Sequence, residues 1–188
     1  MTALDQLNNR RSVPSRQLGE PGPGPAELDA LLQAAVRAPD HGKLVPWRFI
    51  LIRGEARARL GELLAATALA NNPDAPPAAV QKDRERFSFA PLIVTVVARL
   101  DEQNKVPVQE QLLAAGCVAY NLLLGAQALG YGAQWLTGWA AYDPTITARL
   151  GLAANERVVG FVHMGTAREP APERLRPDHR ALVSEWQG

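Results

Sequence analysis

Residues 108–129 read VQEQLLAAGCVAYNLLLGAQAL and form the longest regular stretch of the sequence. Drawn as a helix, this stretch carries apolar side chains almost all the way round. Such a helix is buried in a core, buried in an interface, or spans a membrane. Gln111, Asn121 and Gln127 interrupt the apolar run, which counts against a membrane span. Small residues such as Gly116 would let another helix approach closely. The pattern predicts a central helix packed in a core or against a second copy of the chain, and it leaves these two possibilities open.

Shorter elements are predicted on both sides of this helix. Apolar and β-branched runs predict strands at residues 47–52, 92–97, 134–137 and 158–164, and the run at 92–97 is typical of a strand covered on both faces. Helical patterns cover residues 4–10, 25–38, 55–70 and 144–150. Residues 81–86 are charged and are interpreted as a surface segment. Strands that alternate with helices would by themselves favour a parallel α/β sheet.

Composition limits the classes of function. A chain of 188 residues suits one domain, and 47% hydrophobic with 21% charged residues is typical of a globular protein. A net charge of +1 gives no general attraction to nucleic acid or to an anionic membrane. One cysteine allows no internal disulfide, and three scattered histidines have no metal-ligand spacing, so we expect no metal site. The opening residues MTALDQ do not resemble a signal peptide, so we expect a cytoplasmic protein.

Two basic segments could bind an anion or another ligand. Arg10, Arg11 and Ser12 follow the first helix, and two guanidinium groups with a hydroxyl can hold a phosphate. The alternative is that these cations complement the dipole at the carboxyl end of the helix. Arg37 and His41 lie between the second helix and the first strand and could donate to a ligand. The alternative there is an ordinary helix end before Pro39.

A glycine-containing turn follows the long helix. Residues 130–134, GYGAQ, match half of the Gly-x-Gly-x-x-Gly dinucleotide motif. The turn follows a helix rather than a strand, and the third glycine is missing, so a Rossmann nucleotide site is rejected. The next residues, 135–138 (WLTG), would let a planar ligand lie close to the backbone, although an ordinary helix–strand turn is the alternative. Cys117, among apolar residues, is interpreted as a packing residue rather than a nucleophile.

The order and spacing of these segments resemble the nitroreductase family of FMN-dependent NAD(P)H oxidoreductases, and most closely its minimal YdjA-like branch. The resemblance covers nearly the whole chain. The segments that carry it are residues 9–12 (NRRS), 37–41 (RAPDH), 46–49 (PWRF), 92–97, 114–117 (AAGC), 129–132 (LGYG), 158–161 (VVGF) and 164–166 (MGT). Of these, the Arg-Arg-Ser segment and the Ala-Pro-Asp-His segment are the most specific.

The resemblance implies a fold and an assembly. It implies an α+β fold, a three-layer α/β/α sandwich with a mostly antiparallel central sheet, in place of the parallel sheet suggested by local patterns. It implies an obligate homodimer with FMN at the interface, so that the helix at 108–129 would pack partly against the partner. Residues 1–188 form a single domain, and the tail from about 166 to 188 is expected to reach onto the partner subunit. The long insertion that caps the active site of larger relatives is absent.

The resemblance also implies which residues contact FMN. Arg10, Arg11 and Ser12 would bind the phosphate and nearby groups, and Arg168 is a further phosphate candidate. Arg37 and His41 would reach the FMN held mainly by the other subunit. Residues Trp135, Leu136, Thr137 and Gly138 would lie along the isoalloxazine ring, with the backbone N–H at Thr137 directed at N5. Pro14 stands where the family often has a basic residue, and Arg16 is a candidate to replace it.

The implied activity is a ping-pong reaction. NAD(P)H gives a hydride to N5 of FMN, and a nitroaromatic, quinone or similar electron-poor acceptor then takes the electrons. The chemistry belongs to the flavin, so no catalytic residue of the protein is expected. A cation near the pyrimidine end would stabilise the reduced anion, with Arg10 or His41 as candidates. The alternatives are a flavin-binding carrier, sensor or scaffold with little turnover, and an enzyme of the same fold that consumes its flavin or acts on another metabolite.

Overall fold

A computed structural model describes residues 2–188 of the chain. The helices are α1 Ala3–Asn9, α2 Pro25–Ala35, α3 Glu55–Asn71, α4 Pro77–Glu85, α5 Val108–Ala128 and α6 Pro144–Arg149. The strands are β1 Leu18–Gly19, β2 Trp47–Arg53, β3 Leu92–Arg99, β4 Gly132–Leu136 and β5 Glu156–Ala167. Each predicted helix and strand is present. Two elements are not predicted by the sequence patterns: helix α4, where the charged residues 81–86 indicate a surface segment, and the two-residue strand β1.

The strands form one antiparallel sheet. Strand β5 pairs with β1, β3 and β4, and β3 pairs with β2 on its other side. This arrangement confirms the antiparallel sheet implied by the resemblance and corrects the parallel sheet suggested by local patterns. The local reading was wrong because β2 and β3 are joined by two helices, and α4 packs back along α3. The chain therefore returns to the end of the sheet where β2 finished, and β3 runs in the opposite direction.

Helices cover both faces of the sheet. On one face, α2 and α5 bury Leu31 and Leu122 against Val94 and Val162. On the other face, α3, α6 and the segment after β4 surround a second core. The members of this second core include Leu60, Leu64, Phe87, Ile93, Ile146 and Phe161. The result is the three-layer α/β/α sandwich implied by the resemblance. The eight-residue strand β3 is buried at every position but the last, as its apolar run predicts.

Helix α5 is long and apolar enough, by length and composition alone, to cross a membrane. Its inner face instead packs in the core, where Ala115, Val118 and Leu122 are fully buried. Its outer face is also apolar and is not covered by the described chain. Leu113 is 61% exposed, and Tyr120 and Cys117 continue the same stripe at helical spacing. We call Leu112, Leu113, Gly116, Cys117 and Tyr120 the α5 stripe.

The C-terminal tail, residues 168–188, has no strand and only a single short 3-10 turn. Its apolar side chains point into solvent: Leu175 is 98% exposed and Trp186 is 92% exposed. Leu182 and Val183 are also exposed. A tail with this many uncovered apolar side chains is typical of a segment that packs on another surface.

Candidate functional site

The candidate site lies at the carboxyl end of β4. Because successive side chains of a strand point to opposite faces, Trp135 and Thr137 face one side of this strand end, and Gln134 and Leu136 face the other. A pocket lies on each side. The loop of residues 10–16 runs beside β4 and contributes to both pockets. The two pockets therefore share a strand and a loop.

The first pocket, called here the Arg10 pocket, has a volume of about 360 Å³. Its lining residues are Arg10, Ser12, Tyr120, Leu123, Trp135 and Thr137. The Arg10 guanidinium donates to Oγ of Ser12 over 3.1 Å. No carboxylate of residues 2–188 forms an ion pair with Arg10. The pocket thus combines a cation without an ion-pair partner in residues 2–188, a hydroxyl and an aromatic wall. Four of its lining residues, Arg10, Ser12, Trp135 and Thr137, are among the predicted FMN contacts.

Hydrogen bonds to β4 and α5 hold the loop in place. The backbone N–H of Val13 donates to the carbonyl of Ala133 over 3.0 Å. The N–H of Arg11 donates to Oε1 of Gln127 over 3.2 Å, and the N–H of Ser15 donates to Oε1 of Gln134 over 2.6 Å. Sequence reasoning did not assign a role to either glutamine. Such fixed donors and acceptors are what keep a binding loop in one conformation before its ligand arrives.

A glycine fixes the position of Trp135. The indole N–H donates to the carbonyl of Val159 over 3.1 Å, and the ring lies close to the backbone of β5 at Gly160. A Cβ at Gly160 would lie 1.9 Å from the indole nitrogen, so only glycine permits this approach. A register shift in the pairing of β3 with β5 leaves Val159 as an extra residue beside it. Bulges of this kind redirect side chains next to functional sites.

The segment that follows β4 turns sharply at Gly138. Its φ of 79° and ψ of −177° belong to a region that is essentially restricted to glycine. A Cβ at this position would lie 3.0 Å from the NH1 atom of Arg86. The Arg86 guanidinium therefore lies against the backbone of residue 138, at the end of the predicted flavin-binding segment.

The second pocket, called here the Arg86 pocket, has a volume of about 230 Å³ and is rich in cations. Its lining residues are Pro14, Ser15, Arg16, Lys82, Arg86, Phe89, Gln134 and Leu136. The Arg16 guanidinium lies over the Phe89 ring, 5.7 Å from its centroid. Arg86 is paired with Asp83. The sequence patterns do not predict Lys82 and Arg86 as site residues, because the charged residues 81–86 indicate a surface segment.

The remaining predicted contact residues lie outside both pockets. The Arg11 guanidinium pairs with Glu173 and donates to the carbonyl of Asn8. Arg168 is exposed, with its side chain against Gly19.

The predicted cross-subunit residues also lie apart from the pockets. Arg37 is exposed, and His41 Nδ1 lies 2.7 Å from Oε2 of Glu110 at the start of α5. The described chain contains no group of three or more His, Cys, Asp or Glu side chains placed to hold a metal ion.

Beside the Arg10 pocket, a third cavity of about 640 Å³ lies beyond Trp135, and we call it the β5 groove. Its lining residues include Leu113, Gly116, Trp135, Tyr142, Arg157 and Val159. Strand β3 pairs with one edge of β5, and β4 pairs with the other edge at residues 161–165 only. Within the described chain, no strand therefore covers this second edge at residues 156–160. The groove is thus an apolar channel whose floor is an unpaired strand edge.

An ion pair between a partly buried arginine and a buried glutamate anchors the floor of the β5 groove. Arg48 of β2 donates two hydrogen bonds of 2.7 Å to Glu156, and it also donates to the carbonyl of Gly151. These bonds lower the pKa of Glu156 and raise the pKa of Arg48. Both pKa values move in the direction that keeps the pair charged. The pair fixes the start of β5, and the neighbouring Arg157 donates only to the backbone carbonyls of Ala154 and Glu156.

Comparison with known proteins gives consistent results. The model of the nitroreductase family matches residues 7–166. YdjA of Escherichia coli (strain K12), provisionally named an NAD(P)H nitroreductase, is 37% identical over 185 residues, covering 98% of this chain and 99% of YdjA. A nitroreductase-like family protein of Bacillus cereus superimposes with a TM-score of 0.83 at 25% identity, covering 100% of this chain and 97% of that one. A nitroreductase of Bacteroides fragilis with bound FMN superimposes with a TM-score of 0.72 at 20% identity over both full chains.

Proposed function

The chain belongs to the nitroreductase family, and from that premise we propose that it is an FMN-dependent NAD(P)H oxidoreductase that reduces nitroaromatics, quinones or similar electron-poor acceptors. The observation that carries the proposal is the joint geometry of the two pockets. An uncompensated arginine, a hydroxyl, an aromatic wall and a second group of cations meet at the end of one strand. FMN has the matching parts: a phosphate, a planar ring and a pyrimidine end that becomes anionic on reduction.

The Arg10 pocket fits the phosphate side of FMN. Arg10 and Ser12 supply charged and neutral donors at one place, and the hydrogen bonds from Val13 and Ser15 already fix the loop that carries them. Arg11 contributes mainly through its backbone, because its guanidinium is engaged with Glu173. Arg168 stays a prediction as a phosphate ligand, since its side chain lies on Gly19 of β1, outside both pockets.

The segment 135–138 fits the ring. Gly138 has no side chain to block a planar group, and its backbone N–H and that of Thr137 lie where the chain turns away from β4. At this end we assign the pyrimidine-side cations to Arg86 and Arg16. They replace Arg10 and His41 in that role, because Arg10 lies in the other pocket and His41 lines neither pocket of its own chain.

When bound, FMN supplies the chemistry by accepting a hydride from NAD(P)H and passing electrons to the acceptor. The residues of this chain bind and orient it: Arg10 and Ser12 hold the phosphate, Trp135 supports the ring, and Arg86 with Arg16 places positive charge at its pyrimidine end. Preorganised charge of this kind stabilises charge that develops in the reaction. None of these residues needs to act as an acid or a base, so protons come from water.

We further propose that the protein acts as a homodimer. The α5 stripe and the apolar side chains of the tail are uncovered in one chain, and a second copy would cover both. In that assembly Arg37 and His41 reach the FMN of the partner, and the tail packs in the partner's β5 groove with Leu182, Val183 and Trp186. Such a protein is expected to be soluble and cytoplasmic.

The test is an absorbance spectrum of the purified protein with and without NADH or NADPH. We expect a yellow protein whose flavin band bleaches with reduced nicotinamide and returns on addition of a nitroaromatic compound or a quinone. A yellow protein that does not bleach with either nicotinamide would instead support the carrier or sensor alternative. A colourless protein that does not bind added FMN would refute the proposal.

The pocket assignment is tested by Arg10→Ala combined with Ser12→Ala. Loss of two donors to the phosphate should weaken FMN binding by at least tenfold while the fold stays intact. Arg59→Ala is the matched control, because Arg59 is exposed and pairs with Glu55 on α3, away from both pockets. Equal FMN affinity in the double variant and the control would show that the phosphate is bound elsewhere.

A further inference from the structure

We propose that Asp83 is a positioning residue that sets the place and the effective charge of Arg86, and thereby how strongly the protein favours the reduced state of its cofactor. The inference rests on the proposed function, since it assumes that FMN occupies the two pockets. It concerns a carboxylate that lies behind the Arg86 pocket and does not line it.

One carboxylate oxygen of Asp83 accepts hydrogen bonds from two separate parts of the chain, Arg86 at the end of α4 and Trp139 after β4. Oδ1 accepts from Nε of Arg86 over 3.2 Å and from NH2 of Arg86 over 2.7 Å. The same oxygen accepts from the indole N–H of Trp139 over 3.1 Å. The Asp83 side chain is only 14% exposed and that of Arg86 25%. Asp83 therefore ties the end of α4 to the segment that directly follows Gly138.

The bonds to Asp83 leave Nη1 of Arg86 without a partner on the carboxylate. This Nη1 atom also lies against Gly138, 3.0 Å from the position that a Cβ at residue 138 would occupy. Asp83 thus holds the guanidinium by one edge and leaves the other edge free at the end of the ring-binding segment. The fork of an arginine suits this use, because its donors are fixed relative to one another.

The same contact reduces the field of Arg86 at the pocket. A carboxylate within hydrogen-bond distance of a partly buried guanidinium offsets much of its positive charge, and at low exposure such effects are weakly screened. Asp83→Asn keeps an acceptor for Trp139 and for one N–H of Arg86, and it removes the negative charge. The uncompensated guanidinium then favours the reduced, anionic state of the cofactor more strongly.

The measurement is the midpoint potential of the FMN-loaded protein. We expect Asp83→Asn to bind reduced FMN about tenfold more tightly relative to oxidised FMN, a positive shift of about 30 mV for a two-electron couple. Glu62→Gln is the matched control, because Glu62 pairs with Arg84, an arginine of α4 that lies outside the pocket. A potential of Asp83→Asn equal to that of the control would overturn the inference.

A third variant separates this inference from the proposed function. Arg86→Gln removes the cation itself and should shift the potential in the negative direction. A shift in Arg86→Gln with none in Asp83→Asn would leave the proposed function standing and refute the role of Asp83. In the double variant Asp83→Asn with Arg86→Gln, the positive shift should disappear, because the carboxylate acts through Arg86. If Asp83→Asn still shifts the potential in the positive direction when Arg86 is replaced, the role of Asp83 through Arg86 is also refuted.

A fourth variant keeps the inference testable if Asp83→Asn fails to fold or to bind FMN. Trp139→Phe removes one of the three hydrogen bonds to Oδ1 and leaves Arg86 as the remaining donor to that oxygen. The carboxylate then compensates the guanidinium more completely, and the potential should shift in the negative direction. An unchanged or more positive potential in Trp139→Phe would contradict the inference independently.

Discussion

His163 is a buried imidazole in β5 with no hydrogen-bond partner for either ring nitrogen in residues 2–188. Its side chain is 1% exposed and stacks on Phe87, with ring centroids 5.5 Å apart. Burial, and the nearby positive charge of Arg86, lower the pKa of His163 from 6.5 to about 4. The ring is therefore neutral in the folded protein at neutral pH and acts as an aromatic packing residue.

This pKa predicts an acid-dependent loss of stability. The unfolded chain takes up the proton near pH 6.5, whereas the folded protein takes it up only near pH 4. The contribution of His163 to the free energy of unfolding is therefore fully present above pH 6.5. It is lost as the pH falls from 6.5 to about 4, by about 3 kcal/mol in total. The free energy of unfolding, measured by denaturant titration between pH 7 and pH 4.5, should show this slope.

Two variants check the origin of the slope. His163→Phe keeps an aromatic ring against Phe87 and should flatten the dependence over this range. His179→Gln changes an exposed histidine of the tail and should leave the dependence as in the wild type. If His163→Phe and the wild type lose stability in parallel, the slope arises from other groups.

Gly138 and Gly130 provide a matched pair of positive-φ glycines, at 79° and 86°. An alanine at either position should cost about 1–3 kcal/mol of unfolding free energy, because both backbones disfavour a side chain. A Cβ at 138 would also press on Arg86, whereas a Cβ at 130 meets nothing within 4 Å. We therefore expect Gly138→Ala to weaken FMN binding about tenfold or more and Gly130→Ala to leave it unchanged. If Gly138→Ala and Gly130→Ala bind FMN with similar affinity in a fluorescence titration, residue 138 does not lie at the flavin ring.

The candidate site could be predicted where local sequence carries the signal. Arg10, Ser12, Trp135 and Thr137 were identified from short segments, and the structure brings all four into one pocket. Arg86 could not be found in this way, because its role depends on its contact with Gly138 in the folded chain rather than on its neighbours in sequence. The same holds for Gln127 and Gln134, whose partners lie more than a hundred residues away.

At the scale of elements, strong patterns fixed the long helices and the buried strands. The capping box of Thr2 and Asp5 and the N-cap Asp143 before Pro144 start α1 and α6 as their residue types indicate. Helix α4 was missed because its mostly polar and charged surface has little apolar periodicity, and only Val80 is buried. Its helical state depends on packing against α3, which a local pattern does not reveal.

The contact between α3 and α4 predicts an unusual effect of a glycine. Gly61 lies where a Cβ would be 2.0 Å from the carbonyl oxygen of Arg84, so the two helices touch there through their backbones. Alanine normally stabilises a helix relative to glycine by about 1 kcal/mol. Here Gly61→Ala should instead destabilise the protein by about 1–3 kcal/mol, because α4 must move away. Since α4 carries Lys82 and ends directly before Arg86, FMN affinity should fall as well.

Ala66→Gly is the control for this displacement. Ala66 is exposed on α3, so the substitution lowers helix stability by about 1 kcal/mol without moving α4. Thermal unfolding and FMN titration of the two variants separate the effects. A Gly61→Ala protein that is less stable but binds FMN as tightly as Ala66→Gly would show that the position of α4 does not control the Arg86 pocket.

At the scale of the whole molecule, the sequence left open whether α5 packs in a core or against a second copy, and the structure confirms the core for one face. One face is buried in the core and the other presents the α5 stripe. The direction of the strands could not be derived locally, because it depends on which end of the sheet each connection returns the chain to. The resemblance supplied the antiparallel sheet, which the structure confirms. The homodimer and the packing of the tail stay predictions.

The dimer is tested by placing a charge in the α5 stripe. Leu113 is 61% exposed in the single chain and also lines the β5 groove. In the proposed dimer Leu113→Glu would bury an unpaired carboxylate, which should weaken association on the order of 100-fold or more.

Leu69→Glu is the control, because Leu69 is also exposed and lies on α3, outside the α5 stripe. Sedimentation velocity should show a monomer for Leu113→Glu and a dimer for the control. Because Arg37 and His41 would then lose the partner's FMN, the monomer should also retain less flavin. A Leu113→Glu protein that stays dimeric would place the interface on another surface.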